Sequence, residues 1–209
     1  MKICLRYLGD PRYQQGIGQE LGVSQATVSR TVDRVVNSIV AQSNEWIKLP
    51  TANREMMEAN RICQSMYKFP TAIDCSHIGI LKPYRLGDEN INRKGKPTLN
   101  VQASCDAREI FTSIDVSWPG SVHDSRTWRY SKTRSQLINK ANVLLLGDDG
   151  YGIEPCLMTP FRNPTLGAEI NYNKLLKQER VITERCFGQL KRRFRILHYV
   201  CRVKLENVP

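Results

Sequence analysis

The stretch "TAIDCSHIGILKP" (residues 71–83) decides the fold. Its β-branched and apolar residues, closed by Lys82-Pro83, predict a strand. Asp74 sits inside that strand, where aspartate is disfavoured. Its presence there needs a reason, and the stretch "NVLLLGDDGYG" (residues 142–152) poses a related problem, since Asp148 and Asp149 at the end of an apolar run must be exposed or paired. Outward from it, "LNVQASCD" and "EIFTSIDVSWPG" read as two more strands joined by a tight "DAR" turn, a hairpin. "SVHDSRTWRYSKTRSQLINK" has a helical pattern with Ser121 as its candidate cap. "NVLLLGD" and "CLMTPF" read as short buried strands, and a helical pattern runs from Tyr172 to Phe194. A hairpin-rich half followed by alternating helix and strand predicts an α/β fold, a mixed sheet with helices on its faces. Ligands of such sheets sit at strand ends.

The 209 residues carry 31 Lys plus Arg against 20 Asp plus Glu, a net charge of +11. That excess points to an anionic partner, most often nucleic acid. Seven cysteines, odd in number and without a CxxC pair, argue against a zinc site and against a disulfide framework. They fit a reducing compartment. No apolar run approaches the roughly 20 residues that cross a bilayer, so no membrane partner is expected. The opening "MKICLRYLGD" does not read as a signal peptide.

Before the first strand, "YQQGIGQELGVSQATVSR" joins two helical patterns through "LGVS", with Gly22 in the turn and Ser24 as N-cap. Val28, Val32, Val35, Val36, Ile39 and Val40 form one apolar stripe on the second helix. This pattern predicts a helix-turn-helix over residues 1–48, with Gln25, Thr27, Ser29 and Arg30 facing double-stranded DNA. A helical hairpin packed on the main domain has the same stripe; the "GVSQATVSR" string favours DNA. The usual first helix of a three-helix unit reads as mostly missing. "ANREMMEANRICQSMYKFP" reads as a short helix, making 49–70 a linker helix and 71–209 the main domain.

Four carboxylates stand out: Asp74, Asp124 after "PGSVH", Asp148 at the end of "VLLLG", and Glu184 in "VITERCFGQL". Each has an ordinary explanation. Asp124 suits a helix N-terminus, Asp148 a turn with Gly150, and Glu184 an intrahelical pair with Arg180 or Lys191. Asp74 is the hardest to explain in that way. Taken together, oxygen-only ligands suit hard cations such as Mg²⁺ or Mn²⁺. Two such ions serve phosphodiester cleavage when carboxylates converge from separate elements beside a basic surface. The "KRRFR" run from Lys191 to Arg195, with Arg180 and Arg185 before it, offers that surface or an ordinary solvated face. Trp118, Trp128 and Tyr151 flank the carboxylates and read as core rather than base-stacking residues.

Five ordered motifs, "AIDCSHIGILKP", "RKGKPTLNVQASCD", "VSWPGSVHDSRTW", "LLLGDDGYGIEPCLMTPF" and "VITERCFGQLKRRFRIL", closely resemble the PIF/Harbinger transposases and the host nucleases derived from them. The helix-turn-helix string resembles the segment that precedes that family's catalytic domain. The resemblance implies a ribonuclease H-like fold and a DDE site. The family's motif residues map onto Asp74, Asp124, Asp148 and Glu184 as catalytic and metal-binding, with a pair of Mg²⁺ or Mn²⁺ ions as cofactor. Asp148, not Asp149, carries the motif. Which of Asp124 and Asp148 binds metal directly stays open. The resemblance also implies a nuclear protein that works with a separate Myb-like DNA-binding partner; the oligomeric state stays open, a homo-oligomer included. Against the family pattern the chain reads as incomplete at both ends.

The leading expectation is a metal-dependent DNA endonuclease of transposase descent, with Arg185, Lys191, Arg192 and Arg193 tracking phosphates. Its rival is a catalytically silent copy that binds DNA or protein. A third reading, a ribonuclease acting on RNA–DNA hybrids, shares the fold and is disfavoured by the helix-turn-helix.

Overall fold

A computed structural model describes residues 1–10, 13–50, 71–84, 87–140 and 144–202 of the chain. Most of the expected linker helix, residues 51–70, and Cys63 with it lie outside the described residues. Four helices come first: α1 (Lys2–Gly9), α2 (Gln14–Leu21), α3 (Gln25–Ala41) and the single turn α4 (Ser43–Trp46). Gly22 takes φ 66° and ends α2 in the left-handed conformation that glycine adopts without strain. The Ser24 hydroxyl accepts from Thr27 N at 3.1 Å and starts α3. Both local expectations hold.

Two others do not. Residues 2–9, expected to lack most of a first helix, form α1, whose Cys4 and Tyr7 are buried. The apolar stripe of α3 is covered only in its first half. Val28 and Val32 are buried, whereas Ile39 and Val40 are 51% and 37% exposed. The reason is length: α2 has 8 residues and α3 has 17, so α3 outruns the helix it packs against. The cluster around Ile17, Val28 and Val32 is completed by Ile196, Leu197 and Cys201 from the far end of the described chain.

The five strands are β1 (Thr71–Gly79), β2 (Thr98–Asp106), β3 (Phe111–Pro119), β4 (Leu145–Leu146) and β5 (Leu157–Met158), in the order β3-β2-β1-β4-β5. β1, β2 and β3 are antiparallel neighbours, β4 runs parallel to β1, and β5 runs parallel to β4. The expected mixed sheet is therefore present. The β2–β3 turn is closed by Asp106, whose Oδ1 accepts from Arg108 N and Ile110 N.

The long helical pattern after β3 divides into α5 (Asp124–Arg129) and α6 (Lys132–Leu137). Ser131 makes the break: its hydroxyl donates to Trp128 O and accepts from Arg134 N, capping the second helix against continuation of the first. The cap of α5 is His123 rather than the expected Ser121. Ser121 N is instead bonded to Glu89 O, within the turn that follows β3. The last helix, α7 (Gly167–Arg193), starts five residues before the expected Tyr172, because Glu169 reaches back to accept from Thr165 N and Leu166 N.

Strand periodicity divides the neighbours of β1 by face. Ala72 packs with Leu146 and Leu176 beneath α7. Ile73 and Cys75 pack on the other side against Trp128, Leu137 and Tyr151. Among the described residues, no helix is long and apolar enough to cross a membrane.

Gly120 sits where the chain leaves β3. A Cβ there would lie 2.1 Å from Thr98 Oγ1 and 2.6 Å from Thr98 O. Gly120→Ala is therefore expected to destabilise the protein by about 1–3 kcal/mol through overpacking, read as a lower urea midpoint at unchanged m-value.

Candidate active site

The sheet-facing side of α7 is set by helical spacing. Leu176, Arg180, Thr183 and Phe187 fall at i, i+4, i+7 and i+11 on one face. Leu176 is buried against Ala72 and Leu146, and the Phe187 ring meets Phe111 at 5.6 Å. Between these apolar anchors an arginine faces the sheet. Arg180 Nη1 donates to Asp74 Oδ2 at 2.7 Å, and the two side chains are only 17% and 15% exposed. Asp74 Oδ1 accepts from Cys75 N at 2.8 Å. The aspartate inside β1 and the arginine inside the apolar face of α7 are each other's explanation.

The same guanidinium reaches one turn along its own helix. Its Nη2 donates to Glu184 Oε1 at 3.2 Å; the Glu184 side chain is 55% exposed. Asp148 stands just past β4, which is parallel to β1 and pairs with its first residues. Its Oδ1 accepts from Gly150 N at 3.0 Å, so the ordinary turn role is filled as well. Burial pushes the Asp148 carboxyl above the usual carboxylate range. Arg180 pulls it down, and the charge of Asp124 adds to the rise. Asp74 is pushed up to about 6, first by burial; Arg180 opposes the rise and Asp148 reinforces it.

Asp124, the first residue of α5, belongs to the other face of β1. Its Oδ1 accepts from Asn100 Nδ2 at 2.9 Å, and the same amide donates to Val122 O. Asn100 is paired with His77 across β1–β2, and Gln102 with Cys75, so these side chains share the face opposite Asp74. A Cβ added at Gly150 would lie 3.0 Å from Asp148 Oδ1 and 3.5 Å from Asp124 Oδ2, so both carboxylates border that glycine. The four expected carboxylates thus gather around one end of the sheet in two groups. Asp74 and Glu184 are bridged by Arg180, Asp124 approaches from the other face, and Asp148 lies within electrostatic reach of both. Tyr151 is buried below them, with its hydroxyl 3.1 Å from Cys75 Sγ and 3.4 Å from Gln102 Nε2. Trp128 is likewise core, as expected.

The donor chemistry, carboxylate oxygen throughout, suits a hard divalent cation. As the side chains stand, no group of three or more His, Cys, Asp or Glu among the described residues is gathered to hold a metal ion. Arg180 takes the positive role between Asp74 and Glu184. Asn100 and Arg180 are the two site residues that were not singled out as such from the sequence. Asn100 left no signal there. Arg180 did: an arginine at the centre of an apolar helical face.

The expected DNA-facing residues are not equally available. Gln25 and Arg30 are exposed at the start of α3, whereas Ser29 is partly buried and the Thr27 hydroxyl is 2.9 Å from Ser24 Oγ in the cap. On α7, Lys191 Nζ is occupied by Ser76 Oγ at 2.7 Å and His77 O at 2.9 Å. Arg185 pairs with Glu109 at 3.1 Å. Arg192 and Arg193 are exposed.

A family model described as a DDE superfamily endonuclease matches residues 73–209. Among curated proteins, the chain is 31% identical over 191 residues to "Putative nuclease HARBI1" of Bos taurus and 30% identical over 191 residues to the protein of that name from Homo sapiens. Each alignment covers 88% of this chain and 54% of the relative. It is 24% identical over 217 residues to "Protein ALP1-like" of Arabidopsis thaliana, covering 95% of this chain and 53% of that protein. The chain spans about half the length of the curated relatives it matches. No solved structure matches it.

The raised carboxyls predict a pH dependence. Asp74, with its ordinary value of 3.8 raised to about 6, and Asp148, also raised, hold protons more tightly in the folded chain than in the unfolded one. Their contribution to stability is present in acid and is lost as pH rises through about 6. In chelator-treated protein, the urea midpoint is expected to be higher near pH 5 than near pH 7.5, and Asp74→Asn is expected to narrow that difference.

Proposed function

We propose that this chain, which belongs to the DDE superfamily endonuclease family, hydrolyses phosphodiester bonds of double-stranded DNA with the help of divalent cations held by Asp74, Asp148 and Glu184. One observation carries the reading: these carboxylates come from β1, the end of β4 and α7, far apart in the chain, yet one guanidinium bridges Asp74 and Glu184 and Asp148 lies within its electrostatic reach. Structural ion pairs need two partners. A third carboxylate at Asp148, beside a fourth at Asp124, is more than an ion pair needs and supplies the oxygen donors a divalent cation would take.

Mg²⁺ or Mn²⁺, when bound there, supplies Lewis acidity and neutralises charge on the phosphodiester. The chain's own residues do the rest. Asp74 is held in register by the pairing of β1 with β2, in which it stands opposite Ala103. Asp148 is oriented by Gly150 N, and the lack of a side chain at Gly150 leaves the approach between Asp148 and Asp124 open to a phosphate. Asn100 fixes Asp124, which we assign a supporting role because it lies on the face of β1 opposite Asp74. No covalent protein nucleophile is needed. Burial drives the Cys75 thiol far above its ordinary value, which keeps it unreactive beside the site. The net charge of +11, with Arg192 and Arg193 exposed on α7, favours the polyanion. We assign α2 and α3 to DNA reading as a helix-turn-helix, with Gln25 and Arg30 as the side chains open to the duplex, and the protein to the nucleus.

A second reading, a silent copy that binds DNA without cutting it, is favoured by the lack of a ready metal-ligand group among the described residues. Plasmid nicking with Mg²⁺ or Mn²⁺ separates the two. Nicking is expected to disappear with chelator, and Asp148→Ala is expected to lower its rate by more than the about 100-fold typical of losing an outer-shell partner of a metal. Nicking that Asp148→Ala leaves unchanged would sink the enzyme reading. For the helical region, Arg30→Ala is expected to reduce the slope of log affinity against log salt on duplex DNA by about 0.9, one phosphate contact.

A further inference from the structure

We propose that Arg180 is a built-in counter-cation of the site: its guanidinium holds Asp74 and Glu184 together in the absence of metal and competes with metal for them. The inference rests on the nuclease reading, since it concerns the same carboxylates.

Three observations lead to it. The first is position. Leu176 and Phe187 pin α7 to the sheet on either side of Arg180, so the guanidinium is delivered to β1 by the packing of the whole helix. The second is geometry. One planar group donates to Asp74 at 2.7 Å and to Glu184 at 3.2 Å through different nitrogens. A guanidinium fork with separate donors suits that task, whereas the point charge of a lysine does not. The third is charge. The Arg180–Glu184 pair alone, one turn apart with the carboxylate half exposed, stabilises little. The Arg180–Asp74 contact is mostly shielded from solvent, so removing one partner leaves a charge that water cannot fully repair.

An ion that takes Asp74 Oδ2 as a ligand must displace the guanidinium from that oxygen. The carboxylates whose mutual repulsion metal would relieve are already partly neutralised. Arg180 thereby stabilises the metal-free fold and weakens metal affinity. Site-specific retention of metal is set by how readily the fork lets go.

The test is direct binding of Mn²⁺ to the full chain, followed by electron paramagnetic resonance, in the wild type, Arg180→Gln and Arg180→Lys. Arg180→Gln is expected to bind Mn²⁺ at least about ten-fold more tightly. Its metal-free form should melt at a lower temperature and gain more from added Mn²⁺ than the wild type does. Arg180→Lys, which keeps the charge without the fork, is expected to fall between. The added affinity must vanish in Arg180→Gln/Asp148→Asn, which locates the ion at this site. Equal or weaker binding by a folded Arg180→Gln would overturn the proposal while leaving the nuclease reading intact. Absence of Mn²⁺ binding in wild type and variants alike would overturn both. If Arg180→Gln does not fold without metal, crystals of the wild type grown in Mn²⁺ decide: a broken Asp74–Arg180 contact supports displacement, and a retained contact beside a bound ion overturns it.

Discussion

A carboxylate in the middle of a central strand and a guanidinium in the middle of an apolar helical face are each untenable alone. Breaking such a pair by removing one member typically costs about 3–5 kcal/mol. Asp74 and Arg180 meet at 2.7 Å, and that meeting fixes where α7 lies across β1. Leu176 and Phe187 supply the burial on either side, but apolar packing tolerates small slides that a two-nitrogen fork does not. From this register follow the placement of Glu184 one turn beyond and of Lys191 over Ser76.

The pleat of β1 then separates two tasks. Ala72, Asp74 and Ser76 address α7, while Ile73 and Cys75 address the core around Trp128 and Tyr151. The acidic chemistry is therefore built on a strand whose reverse face is anchored in the core at Ile73. Asp124 reaches the same sheet end from the packed side, held by Asn100. Asp148 can sense both groups because β4 stops after Leu146 and leaves it at the border. The division accounts for four carboxylates that share a neighbourhood without forming one tight cluster.

Strands β1 to β3 and the turn at Asp106 were legible in the sequence because alternation and turn chemistry are local. The Gly22 turn and the Ser24 cap were legible for the same reason. The division of the α5–α6 pattern at Ser131 was not, since a serine that caps and a serine that decorates a helix look alike until its hydroxyl has a partner. The first helix was missed because only ten residues precede Pro11, too few to suggest a helix on their own; they become helical against the buried faces of α2 and α3. Within the site, Asp74 announced itself as an anomaly and the motifs brought Asp148 and Glu184 with it. Arg180 was read as a partner of Glu184 on its own helix, which it is, and as one cation of a basic patch; its spacing from Leu176 and Phe187 marks the buried face that brings it to Asp74. Lys191, read as part of the same patch, donates to Ser76 Oγ and His77 O.

What the sequence determined by itself was a set of local commitments: which segments are strand or helix, which carboxylates violate their surroundings, and a strongly basic balance seeking an anion. Only the tertiary structure decided which anomaly answers which. Helical spacing places Arg180, unlike the exposed Arg192, on the buried face of α7, but nothing local says that Asp74 is what it meets there. That choice belongs to the angle at which α7 crosses the strands, and a crossing angle is set by contacts between residues a hundred positions apart.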